Sequence, residues 1–197
     1  LLAVQEQALA AQDAGDRDGF LALANWYYRV RAGLGFEKTV AEYGAFPTDP
    51  YSHTPADGAA RQPGMTGQVK EEILTRFGEL GVRIVDGCVA FQPTLLRAQE
   101  FLNRETTFRP LDVHGKPIEL PLSEGSLGFT YCQVPVRYVI SESPWVRVVG
   151  DEGEPLQQEG NRLSADESRM LLGRQGGIRM IDVGVPRSTL LTLSVSG

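Results

Sequence analysis

The residues best suited to binding chemistry stand close together, in Asp49-Pro-Tyr-Ser-His53 and Gln62-Pro-Gly-Met-Thr-Gly-Gln-Val-Lys-Glu-Glu72. Prolines fix the path of such a loop, glycines let backbone approach a ligand closely, and the start of a helix presents free amides. Tyr51, His53, Gln62, Gln68 and Lys70 offer planar or cationic hydrogen-bonding groups that suit sugar hydroxyls, and Tyr51 and Trp26 offer aromatic platforms for a sugar's apolar face. The competing reading is structural. Gln, Thr and Lys at a helix start cap it and face water, and His53 ties the loop to itself.

Other groups carry weaker signals. Glu71 and Glu72 invite comparison with the carboxyl pair of glycoside hydrolysis, but adjacent helical residues point about 100° apart and cannot face one bond. They read better as carboxylates favoured by the helix dipole. With only His53 and His114 in the chain, no metal-ligand spacing is visible, so no metal and no cofactor are expected. Cys88 and Cys132 lie in apolar, strand-like runs and read as buried free thiols. Gly173-Arg-Gln-Gly-Gly177 leads into a strand and not a helix, which removes a phosphate-cradle reading. No Ser–His–Asp arrangement can be nominated, so the catalytic residues stay unassigned.

The elements that must position these groups change rhythm along the chain. Leu1–Ala14 is rich in Ala, Leu and Gln; Gly15 breaks it and Asp16 can cap a second helix carrying Phe20, Leu21, Leu23, Ala24, Tyr27, Tyr28 and Val30. Residues 44–64 hold Pro47, Pro50, Pro55 and Pro63 and read as an ordered loop. Thr66 opens the clearest helix, with Val69, Ile73, Leu74, Phe77 and Leu80 as its apolar stripe and Gly81 as its stop. From Val82 the apolar period becomes two. A hairpin turns at Asp86-Gly87, and further strands are expected over Thr107–Val113, Ser126–Gln133, Val136–Ser141, Val146–Gly150, Ile178–Val185 and Thr189–Val195. Ser164-Ala-Asp-Glu167 is a capping box that opens one short helix among the strands. The fold class expected is α+β, with N-terminal helices over residues 1–81 followed by an antiparallel β-sandwich over residues 82–197.

Composition bounds the partners. The 197 residues carry a formal net charge of −6, and the basic residues are scattered, which argues against nucleic acid. No apolar run approaches the length needed to span a bilayer. The chain starts at Leu1 and not at Met, which reads as a start inside a longer protein, with any targeting signal upstream.

The order of elements also resembles a known layout. Gln62-Pro-Gly-Met-Thr-Gly-Gln-Val-Lys-Glu71 closes with Phe77-Gly-Glu-Leu-Gly81 and runs into Val82-Arg-Ile-Val-Asp-Gly-Cys-Val-Ala-Phe-Gln-Pro-Thr-Leu-Leu96. This resembles the C-terminal region of bacterial carbohydrate-active enzymes with an (α/α)6 barrel, of glycoside hydrolase or phosphorylase type. There the last barrel helices give way to a strand pair and then a C-terminal β-domain. Leu127-Gly-Phe-Thr-Tyr-Cys-Gln-Val-Pro-Val136 and Gly160-Asn-Arg-Leu-Ser164 fit such a domain. The resemblance implies that His53, Gln62 and Gln68 lie near a carbohydrate substrate, while the catalytic carboxylates belong to an upstream helical domain, leaving this part inactive alone. One alternative is a non-catalytic carbohydrate-binding module, which predicts exposed aromatics on one sheet face, with Tyr131, Tyr138 and Trp145 as candidates; Trp145 alone reads first as an anchor at a strand start. Another is a structural or interaction domain, which predicts an uncovered apolar patch on the first two helices and self-association.

Overall fold

A computed structural model of the chain describes residues 1–33, 66–151 and 155–192. Within it the chain forms two compact units, one inside Leu1–Gly78 and one over Glu79–Thr192. The secondary structure is α+β.

In the first unit, α1 (Leu2–Asp13) and α2 (Arg17–Gly33) are joined by a tight turn in which Gly15 takes a φ of +74°. That left-handed conformation is the reason a glycine ends α1. Asp16 caps α2 through its Oδ1, which accepts from Gly19 N at 3.0 Å. Phe20, Ala24, Tyr27 and Tyr28 form the buried face of α2, and Tyr27 and Tyr28 meet edge to face at 5.1 Å. The third helix, α3, spans Thr66–Leu80. Gln5 of α1 is buried against it and donates from Nε2 to Thr75 O at 2.7 Å. Gly78 leaves room for that side chain, since a Cβ there would overlap the Gln5 amide.

The apolar stripe expected of α3 is only partly buried. Thr75, Glu79 and Leu80 are enclosed, whereas Ile73 and Leu74 are 51% and 54% exposed. The helix turns a more polar side inward because an amide from α1, and not a greasy side chain, meets its backbone.

The second unit begins at the hairpin of β1 (Val82–Val85) and β2 (Cys88–Phe91), with Asp86 and Gly87 both at positive φ in the turn, as the sequence predicts. A short hairpin follows, β3 (Thr106–Phe108) with β4 (Leu120–Leu122). The main sheet has five strands in the order β5-β6-β9-β7-β8. They are β5 (Ser126–Tyr131), β6 (Val134–Ser141), β7 (Trp145–Gly150), β8 (Leu156–Glu159) and β9 (Ile178–Pro186). β6 and β9 pair in parallel, so the sheet is mixed and not wholly antiparallel; its other three pairings are antiparallel.

Strand alternation gives the sheet two different faces. Leu127, Val134, Val136, Tyr138, Val146, Val148, Ile181, Val183 and Val185 are buried on the first. Tyr138 is its centrepiece: it meets Phe91 and Phe129 edge to face and donates its hydroxyl to Leu80 O at 2.5 Å. Helix α4 (Ala165–Leu172) starts at the expected capping box, with Glu167 N bonded to Ser164 Oγ and Ser164 N to Glu167 Oε2. Ser168 of α4 accepts from Val89 N at 2.9 Å and so ties the helix to β2.

The second face carries Gly128, Pro135, Arg137, Val139, Trp145, Arg147, Val149, Met180, Asp182 and Gly184. The β3–β4 hairpin covers its β5 end, where Leu122 and Phe108 lie against Gly128 and a Cβ would come within 2.8 Å of Leu122 Cδ1.

Candidate functional site

Among the described residues, chemistry-bearing side chains converge on that second face of the main sheet. One acidic residue stands at its centre. Asp182 on β9 faces Arg137 on β6 and Arg147 on β7, each its direct partner across the ladder. Strand spacing of about 4.8 Å therefore sets both guanidinium groups at the carboxylate without further adjustment. Arg137 donates from Nε to Oδ1 at 2.8 Å and from Nη2 to Oδ2 at 3.0 Å. Arg147 donates from Nε to Oδ2 at 3.0 Å, and its Nη2 also reaches Oδ2. Asp182 is fully enclosed, while the side chains of Arg137 and Arg147 keep 23% and 36% exposure. The outer edges of both cations thus remain at the surface of a fixed ionic cluster.

Trp145 lies beside this cluster. Its indole rests on Gly184 of the neighbouring strand, where any Cβ would overlap the ring. The ring is half-buried, and the Arg147 guanidinium carbon sits 5.7 Å from its centroid. Gln157 and Glu159 face Arg147 and Trp145 from β8. An aromatic platform flanked by planar, fork-like donors and acceptors suits a polyhydroxylated ring.

Two hollows border the same face. One, of about 400 Å³, is lined by Pro135, Val149 and Met180 together with Asp112, His114 and Arg179. Asp112 is held in a tight loop by the amides of His114 and Lys116, both at 2.8 Å from its Oδ1. The bond from Lys116 is the main reason its carboxyl stays below the ordinary carboxylate range; desolvation opposes it, and the bond from His114 adds to the lowering. The other hollow, about 520 Å³, opens between the β3–β4 hairpin and Arg137 and is lined by Thr106, Thr107 and Ser123.

The residues predicted to bind substrate are not part of this face. Tyr51, His53 and Gln62 lie outside the described residues. Gln68 and Lys70 fall in the first turns of α3, where the backbone is described but the side chains are not. Of the three aromatics predicted to share an exposed face, Tyr138 is fully buried and Tyr131 lies on the same, inner side of the sheet. Only Trp145 sits on the outer face, because it pairs with Gly184, whereas its neighbour Val146 pairs with Val183 on the side that Tyr138 occupies. Burial also raises the Tyr131 hydroxyl above its ordinary range, with the Cys132 thiol adding to it. Cys88 is buried as expected, but Cys132 is half-buried in a two-residue turn with Gln133, both at positive φ. That turn splits the run read as one strand over Ser126–Gln133 from its partner. Among the described residues no group of three or more His, Cys, Asp or Glu side chains could hold a metal ion, and no helix is long and apolar enough to cross a membrane.

Arg137, Asp182 and Arg147 are absent from the predicted site. Each is the lone charge inside an apolar strand run, Val136-Arg-Tyr-Val-Ile140, Val146-Arg-Val-Val149 and Met180-Ile-Asp-Val183, and that isolation is the signal available in the sequence.

No protein-family model and no curated protein matches the chain.

Proposed function

We propose that the second unit is a non-catalytic saccharide-binding β-domain, carried in the C-terminal part of a carbohydrate-active enzyme of the (α/α)6-barrel type. The observation that supports this most is Trp145 laid on Gly184 beside the Arg137–Asp182–Arg147 cluster. A tryptophan seated where the neighbouring strand lacks a side chain gives a stacking surface at little entropic cost, and a cross-linked cluster keeps its donors in place before a ligand arrives. The carboxylate at the centre of the face is fully engaged by cations, which suits binding better than proton transfer. In this reading Tyr51, His53, Gln62, Gln68 and Lys70 contribute contacts to a substrate cleft built mainly by other helices. On the same reading, the β1–β2 hairpin and α4 form the layer opposite the main sheet and complete a β-sandwich.

Affinity electrophoresis of the full chain in gels containing soluble polysaccharides tests the proposal. Retardation by at least one polysaccharide, abolished by Trp145→Ala with the fold intact, is expected. Migration unchanged across neutral, acidic and amino polysaccharides removes the proposal. Turnover of glycosides by the chain alone would contradict its non-catalytic character.

A second reading has an observation of its own. In the first unit Trp26, Ile73 and Leu74 are each more than half exposed, which favours a helical part that docks on further helices. Trp26 is shared with a cation, the Arg29 guanidinium carbon lying 5.0 Å from its ring. Concentration-dependent self-association of the chain, relieved by Ile73→Ser with Leu74→Ser, is the expected outcome; a monomer at all concentrations argues against it.

A further inference from the structure

We infer that the saccharide bound on the outer sheet face is an acidic one, whose carboxylate is received by Arg147. The inference rests on the saccharide reading above and names the class of sugar.

Asp182 receives two N–H groups from Arg137, one on each carboxylate oxygen, and two from Arg147, both on Oδ2. Arg137 spends its Nη1 on Pro121 O at 3.4 Å. Arg147 uses only Nε and Nη2, and among the described residues no acceptor bonds its Nη1. Two guanidinium groups against one carboxylate leave the cluster with a surplus positive charge, in a chain whose net charge is −6. The unused end of Arg147 is therefore a fixed, partly exposed donor edge, the geometry that carboxylates bind in a two-pronged manner.

Position singles out a sugar acid over a free anion. The guanidinium carbon lies over the Trp145 ring, 5.7 Å from its centre, so the indole and the Arg147 edge form one continuous patch, and a pyranose against that patch can present its exocyclic carboxylate to the edge. The other charge on this part of the face, Glu159, pairs across the strands with Trp145, whereas neutral Gln157 pairs with Arg147. Glu159 is thus two residues, about 6.8 Å, farther along the strand from the receiving edge. Asp182 is already neutralised, and Arg137 adds attraction from the far side of the cluster. A neutral sugar offers the Arg147 edge only single hydroxyl acceptors, which bind it more weakly than a charged, two-pronged carboxylate.

Isothermal titration of the full chain with an oligogalacturonate and with its methyl ester tests the inference, because the two ligands share their rings and differ in charge. The acid form is expected to bind about tenfold more tightly, with the preference shrinking as salt is added. In Arg147→Gln the ratio of the two affinities is expected to fall close to one, and in Arg147→Lys it recovers only in small part, since an ammonium lacks the fork. Circular dichroism confirms that each variant is folded. Equal affinity for both ligands in the wild type overturns the inference while leaving the saccharide reading in place. An acid preference that survives in folded Arg147→Gln also overturns it. If neither ligand binds, and no neutral polysaccharide is retained in the gel assay, the inference and the saccharide reading fall together.

Discussion

Replacing Asp182 with asparagine keeps the shape of the central side chain and removes its charge. The amide offers one acceptor oxygen where the carboxylate offered two, and its NH2 group is turned toward guanidinium donors. Breaking a fully buried ion pair costs about 3–5 kcal/mol, and breaking an exposed one about 0.2–1 kcal/mol. Asp182 is at the buried extreme, but its partners keep 23% and 36% exposure, so solvent can recover part of the loss. The two pairs together should then be worth about 2–3 kcal/mol. The assay is urea unfolding at neutral pH, followed by Trp145 emission in a Trp26→Phe background, where Trp145 is the sole tryptophan. Salt at about 1 M should change the cost little, because an enclosed carboxylate is weakly screened. A folded Asp182→Asn protein that loses less than about 0.5 kcal/mol would mean that the cluster behaves as ordinary surface charge, and the argument from pre-oriented arginines would fail.

Gly184→Val places a branched side chain where the indole rests, so Trp145 should be displaced, its emission should shift to the red, and polysaccharide retardation should be lost. Ser164→Ala removes the hydroxyl that accepts from Glu167 N, keeps the backbone bond to Glu167 Oε2, and should cost about 1 kcal/mol in the same urea assay. Asp112 should titrate below the ordinary carboxylate range by carbon-13 NMR. Its depressed value means that its stabilisation of the 112–116 loop is present above the unfolded-state value and is lost as pH falls through the folded one. Exchange of the His114 and Lys116 amides should accelerate in that acidic window and not above it.

The local devices of the fold were legible in the sequence because they are written in adjacent residues. Asp16 as a cap, Asp86-Gly87 as a hairpin turn and Ser164 with Glu167 as a capping box each act within a few positions. The α2 face was legible for the same reason: Phe20, Ala24 and Tyr27 repeat at helical spacing. The turn at Cys132-Gln133 was not, since neither residue is of a type that favours positive φ. Strands β4 and β8 were missed because each is short and polar or proline-bearing; of the segment Thr189–Val195, Thr189 ends a short 3₁₀ turn begun at Arg187, and residues 193–195 lie outside the described residues. The outer-face cluster required more than pattern. Arg137 meets Asp182 only because β6 and β9 run in parallel, 45 residues apart, and Arg147 meets it only because β9 sits between β6 and β7. Strand order of that kind is fixed by the packing of the whole sheet and leaves no mark in any one segment.

The outer face of the five-stranded sheet is the surface proposed to meet sugar. The most direct measurement is the proton–nitrogen spectrum of the isotope-labelled chain during titration with soluble oligosaccharides. Saturable shifts are expected at the Trp145 indole N–H, the Arg147 Nε–H and the Gly184 amide. Shifts confined to other parts of the chain, or no saturable shift at any of these three groups, would contradict it.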